Sequence, residues 1–148
     1  MNDDSVETDF LRKVRSALAD PIGRGSLRIV SSRYDAQSFG NAVVVLEGRN
    51  LLLRLVRDRS EEFADVQPIA DPHEWWGVLG VLRAIGLGTE IKVSPSIDEQ
   101  APLINRYLSD LEDAMSPQRY AKIAETCLRM GEEALKGFLE ELKREYPD

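Results

Sequence analysis

With 148 residues, 43% hydrophobic and 30% charged, the chain has the length and composition of one soluble globular domain. Its formal net charge of −7 argues against a nucleic-acid backbone or an anionic membrane as main partner and suits a basic protein better. No apolar run approaches the ~20 residues that span a bilayer, the start MNDDSVETDF lacks the order of a signal peptide, and the single Cys127 cannot form an internal disulfide, so a cytoplasmic protein of bacterial type is expected.

The charge is unevenly spread. Residues 21–70 hold seven arginines, no lysine and six acids, whereas residues 101–148 hold ten acids and seven bases.

In chain order, residues 6–19 place Phe10, Leu11, Val14, Ala17 and Leu18 on one helical face. Asp3, Asp4 or Ser5 are the candidate caps, and Asp20-Pro21-Ile22-Gly23 is expected to end the helix. From residue 26 to 69 the pattern becomes that of strands. In SLRIVSSRY, Leu27, Ile29 and Ser31 fall on one side. In FGNAVVVLEG both faces are apolar, which predicts a central strand or one covered on both sides. Leu51, Leu53 and Leu55 face one way in the next strand, and a shorter strand follows over residues 62–66. Connections this short leave no room for a crossover helix and predict an antiparallel meander. Gly40-Asn41 reads as a bulge or a strand-entry turn.

The segment ADPHEWWGVLGVLRAIGLG predicts a helix over residues 72–86. Asp71 is the N-cap, Pro72 takes the first helical position and Glu74 the third. Trp75 shares phase with Val78, Leu79 and Leu82 and is expected in the core. Trp76, about 100° round the helix, is expected at its rim as a partner anchor. Residues 87–102 read as irregular with a short strand at 90–93. The remainder, residues 103–146, is helical, with Ser116-Pro117 as a second cap-and-proline start and Gly131 as a place to bend. The expected whole is a single α+β domain: an antiparallel meander of three to five strands flanked by an N-terminal helix, a Trp-containing helix and C-terminal helices.

Little in the chain carries chemistry. Cys127 lies on an apolar helix face and reads as a small buried hydrophobe. His73 sits where a helix dipole disfavours an imidazolium. No Gly-x-Ser-x-Gly elbow, phosphate loop or twelve-residue calcium loop occurs. One histidine and one cysteine cannot build a tetrahedral zinc site. No enzyme, metal or cofactor is therefore expected. Arg57-Asp58-Arg59 reads as a strand's exit into a turn, with Arg54 nearby, and offers a charged edge to a partner. Replacing Arg57 and Arg59 by alanine is expected to cost about 0.5 kcal/mol or less if that edge is exposed. The candidate partner-binding residues are Arg54, Arg57, Asp58, Arg59 and Trp76.

The succession SFGNAVVVLEGRNLLLRLVRDR, a polar strand, then EWWGVLGVLRAIG, within residues 26–86, resembles a type of small bacterial α+β domain. Some proteins of this build are similar to immunity proteins that accompany secreted toxins. The resemblance implies a non-catalytic cytoplasmic protein that binds another protein, an immunity protein that neutralises a toxin being the finer expectation, and it carries over no catalytic residue. The competing reading is a small-molecule binding or sensing domain with a pocket between sheet and helices, Arg54 or Tyr107 supplying polar groups. The numerous apolar positions of the C-terminal segment also allow a homodimer.

Overall fold

The computed structural model describes residues 8–37, 40–87 and 96–147. Two short helices, α1 (Asp9–Ala17) and α2 (Ala19–Gly23), precede four strands: β1 (Arg28–Asp35), β2 (Asn41–Glu47), β3 (Leu51–Asp58) and β4 (Glu61–Pro68). A two-residue strand β5 (Trp76–Gly77) runs directly into α3 (Val78–Ala84), and α4 (Ile97–Ala114) and α5 (Tyr120–Glu145) complete the chain. The five strands form one antiparallel sheet in the order β1-β2-β3-β4-β5. This is the expected α+β meander with flanking helices.

Alternation fixes the two sides of the sheet. Ala42, Val44 and Leu46 of β2, Leu51, Leu53 and Leu55 of β3, and Ala64 and Val66 of β4 are buried on one face. They share the core with Phe10, Leu11 and Val14 of α1, Val81 and Leu82 of α3, and Ile97, Ile104 and Leu111 of α4. The intervening residues Val43, Val45, Leu52 and Val56 are only partly buried, and Phe63 is exposed. Both faces of β2 are apolar, yet helices cover only one, as antiparallel sheets permit. In β1 the register shifts between Ile29 and Ser31. This bulge at Val30 reverses the alternation beyond it, so that Ser32, not Ser31, is the half-buried residue. Gly40 has φ +70° at the entry to β2, the strand-entry turn foreseen there.

The helix boundaries differ from expectation in four places. Thr8 caps α1, its Oγ1 accepting from the Leu11 N–H at 3.2 Å; the expected caps Asp3, Asp4 and Ser5 lie outside the described residues. Asp20-Pro21-Ile22-Gly23 does not stop the helix but forms α2, where Pro21 sits in the first turn and needs no N–H partner. α4 begins at Ile97, six residues early, and carries Pro102 within it, with non-helical angles at Tyr107. Ser116 does not cap α5; its hydroxyl donates to the Asp113 carbonyl at 2.7 Å, and α5 runs unbroken through Gly131. The strand expected at residues 90–93 lies outside the described residues.

The Trp segment departs most. Residues 71–75 are not helical; Trp76 and Gly77 pair instead with Val66 and Asp65 at the free edge of β4. The His73 N–H donates to the Asp71 carbonyl at 2.9 Å and its ring bonds the Asp71 carboxylate, so Asp71 caps nothing. A free strand edge is a strong demand for backbone partners, and here it outweighs the local proline and cap signals.

The β3–β4 connection is a two-residue hairpin, since Asp58 pairs directly with Glu61. Both central residues have positive φ, 51° at Arg59 and 72° at Ser60, as a type I′ turn requires. L-residues other than Gly, Asn and Asp pay about 1–2 kcal/mol each there. Arg59→Asn combined with Ser60→Gly is accordingly expected to raise stability by about 1 kcal/mol or more, read as a higher urea midpoint at unchanged slope.

Candidate functional site

The five candidate partner-binding residues do not form one site. Arg54 points to the outer face of the sheet. Its Nη2 lies 2.8 Å from Asp65 Oδ2, directly across the β3–β4 pair, and its guanidinium stacks 4.3 Å over the Trp75 ring. Asp58 and Arg59 are exposed at the hairpin turn, where Asn41 Oδ1 accepts the Arg59 N–H at 3.0 Å.

Arg57 faces the other way, continuing the core-facing series Leu51, Leu53, Leu55. Glu62 is opposite it in register, and its side chain is only 7% exposed. Three elements donate to this carboxylate: Arg57 Nη2 at 3.1 Å, Lys13 Nζ of α1 at 2.9 and 3.0 Å, and the Ile97 N–H at the start of α4 at 3.0 Å. Arg57 also lies 4.8 Å over the Phe10 ring. Burial by itself would push the Glu62 carboxyl up, but the Ile97 N–H, Lys13 and Arg57 together outweigh it and hold it below the usual range. The exposed-edge reading of Arg57 is thus overturned: it belongs to a structural network that pins α1 and α4 to the sheet. The signal was present in the strand alternation, which carries Arg57 into phase with the leucines and Glu62 into phase with Ala64 and Val66.

The two tryptophans exchange the places expected of them. Trp76 pairs with the core residue Val66, packs against the core, and donates from Nε1 to the Tyr120 hydroxyl at 2.9 Å. Trp75 is on the opposite side with Arg54. Strand geometry alternates neighbours by half a turn, so the helical phase used to place them did not apply.

Sequence reasoning missed Glu112. This α4 residue is 7% exposed, and its carboxylate accepts the backbone N–H groups of Arg49 at 2.6 Å and Asn50 at 2.9 Å in the β2–β3 connection. Asn50 Nδ2 returns a bond to the Glu112 carbonyl at 3.1 Å. A Cβ at Gly48 would lie 2.8 Å from Glu112 Oε2, so glycine is what admits the carboxylate.

Beside this clamp runs an open cleft of about 700 Å³, lined among others by Arg24, Arg28, Arg49, Asn105, Arg106 and Glu112. Arg28 is paired with Glu47 at 2.8 Å. Among the described residues, the buried Oδ1 of Asn105 has no hydrogen-bond partner, while its Nδ2 donates to the Ala17 carbonyl at 3.1 Å. Arg54 and Tyr107, expected as pocket groups, do not line this cleft.

Among the described residues, four of the nine exposed large hydrophobics lie on α5. Its first turns are seated on the body through buried Ile123, through Tyr120 on Trp76, and through Cys127, whose Sγ approaches the Gly80 carbonyl at 3.9 Å. Burial pushes the Cys127 thiol up, away from the thiolate that reactive cysteines need. Beyond that point Leu128 is 56% exposed, Leu135 58%, Phe138 58% and Leu139 48%. Every residue from 131 to 141 is exposed.

Among the described residues no three His, Cys, Asp or Glu side chains gather as a metal would require, and no helix is long and apolar enough to cross a membrane. Comparison with protein-family models, curated proteins and solved structures finds no match. The α+β architecture with its five-stranded antiparallel sheet is therefore what stands of the resemblance to immunity proteins.

Proposed function

We propose that this chain is a non-catalytic protein-binding module and that α5 is its docking element. The observation that carries this reading is the stripe Leu128, Leu135, Phe138 and Leu139, about half exposed on a helix with acids and lysines along its other sides. Contiguous apolar surface rimmed by charge marks interaction sites, and an amphipathic helix laid against an apolar partner is a recurrent recognition mode. Cross-linking in cells that make the protein, read by mass spectrometry, is expected to join Lys136 or Lys143 to another polypeptide. Leu135→Glu with Phe138→Glu should abolish those links. Links that persist in this variant would place docking elsewhere.

The finer reading is an immunity protein that neutralises a toxin in the cytoplasm. The net charge of −7 supports a basic partner. Co-expression with a toxin encoded beside it is the test: protection by the parental chain is expected, and killing that continues in its presence would end this reading.

A second reading is favoured by the cleft between α4 and the β2–β3 connection. Its volume lies within the range of about 300–1,000 Å³ typical of ligand sites, and Arg24, Arg49 and Arg106 on its lining, beside the Arg28–Glu47 pair, suit a small anion. A rise in melting temperature with inorganic phosphate, a nucleotide or a dicarboxylate is expected on this reading. No shift with all three would dismiss it.

A further inference from the structure

The outer half of α5 poses a physical problem on its own. It continues the seated first turns of α5 into solvent, and it includes Gly131 and Gly137, each about 1 kcal/mol worse than alanine in a helix. Among the described residues none buries any position from 131 to 141. The exposed apolar stripe Leu135, Phe138 and Leu139 is therefore open to a second chain.

The sequence of α5 describes that surface. Leu128, Leu135 and Leu142 recur every seven residues, and three residues after each come Gly131, Phe138 and Glu145, the spacing of a two-helix coiled-coil seam that ends on a charge. Leu139 and Tyr146 widen the seam on one flank. Glu132 and Lys143 lie on that same flank, on either side of Leu139. Ala134 and Glu141 lie on the opposite flank.

We propose that the occupant of this face is the same face of a second copy, packed antiparallel about a two-fold axis near Phe138 and Leu139. The proposal rests on the protein-docking reading of α5 and names its partner. In this register Leu135 meets Leu142 of the second copy, and Gly131 makes room for Tyr146. Glu132 faces Lys143, and the two-fold repeats that ion pair. On the other flank Glu141 faces Ala134, so no like charges meet. Antiparallel helices bring like flanks together, whereas a parallel pair brings unlike flanks together and would set Glu132 beside Cys127 without an opposite charge. The face is therefore self-complementary in charge and size, the condition for an isologous dimer. A helix pair from Leu128 to the end of α5 at Glu145 is about 27 Å long. That is short beside specific interfaces of about 1,200–2,000 Å², so the dimer dissociates on dilution.

Sedimentation equilibrium of the full chain over a dilution series tests this. The expected result is a reversible shift between the 16.6 kDa chain mass and twice that value. Lys143→Glu should weaken association about tenfold by replacing two attractions with two repulsions, and adding Glu132→Lys on the same chain should restore it. Leu135→Glu with Phe138→Glu should give a monomer whose tryptophan fluorescence and melting match the parent, since the sheet body is untouched. A chain that is monomeric throughout, a dimer indifferent to these changes, or a charge swap that fails to rescue overturns the second-copy assignment. If the chain is monomeric and the cellular cross-links of Lys136 and Lys143 to a different polypeptide still vanish in the Leu135→Glu, Phe138→Glu variant, the docking reading stands with another occupant. If neither association is seen, both fall.

Discussion

Glu62→Ala is expected to destabilise the domain by about 2–4 kcal/mol, read as a lower urea midpoint. The loss has two parts. The Ile97 N–H loses its acceptor at the start of α4, where a carboxylate also suits the helix dipole. Lys13 and Arg57 are left facing each other over an empty site; Asp98, 3.4 Å from Lys13 Nζ, and water relieve part of that cost, the two side chains being 26% and 31% exposed. Arg57→Ala should cost less, about 1–2 kcal/mol, because Lys13 and Ile97 still hold the carboxylate. A loss of about 0.5 kcal/mol or less on Arg57→Ala would restore the exposed-edge reading that the geometry replaces.

The same network sets an acid limb. Glu62 titrates lower in the folded chain than its ordinary value of 4.5. Below that ordinary value the unfolded chain takes up the proton first, so this stability is fully present above 4.5, falls as pH drops below it and is lost once the folded carboxyl itself is protonated. Glu62→Gln removes this contribution. The stability gap between parent and Glu62→Gln should be widest above pH 4.5 and should narrow on acidification. A gap independent of pH would mean that charge plays no part at this position.

The meander was legible because its determinants are local: leucines at alternate positions and connections too short for a crossover. The same alternation held the information about Arg57 and Glu62, but residue type suggested exposure while strand phase placed both on the core side. Phase won because Glu62 finds three donors there, two of them on elements distant in sequence. Trp75 and Trp76 show the opposite limit. Asp71, Pro72 and Glu74 are sound local helix signals, yet the open edge of β4 recruits Trp76–Gly77 as β5, a demand visible only once the sheet exists. The α5 stripe was legible as surplus apolar positions on one helix. Which of them the body would leave uncovered depends on α5 outrunning α3, and that is a tertiary fact. Glu112 was out of reach for a similar reason, since its targets lie 62 and 63 residues away in the chain.

Glu112 also carries the sharpest test of a non-local contact. Glu112→Ala leaves two backbone N–H groups of a tight connection without acceptors and is expected to cost about 2–4 kcal/mol. Glu112→Gln should recover only part of this, because an amide offers one acceptor oxygen and turns its NH₂ toward a second donor. Gly48→Ala places a methyl 2.8 Å from Oε2 and 3.1 Å from Cδ of Glu112. A free side chain would swing aside at little cost, but this one is pinned by the Arg49 and Asn50 N–H groups and can retreat only by giving them up. About 1–3 kcal/mol is therefore expected for Gly48→Ala in the parent chain. In the Glu112→Ala background the obstacle is gone, and the same substitution should cost close to nothing. The double-mutant cycle then shows a coupling energy of about 1–3 kcal/mol between residues on a hairpin and a helix. Equal costs in both backgrounds would mean that Gly48 serves the backbone of its own turn, and that the Glu112 carboxylate has room it does not use.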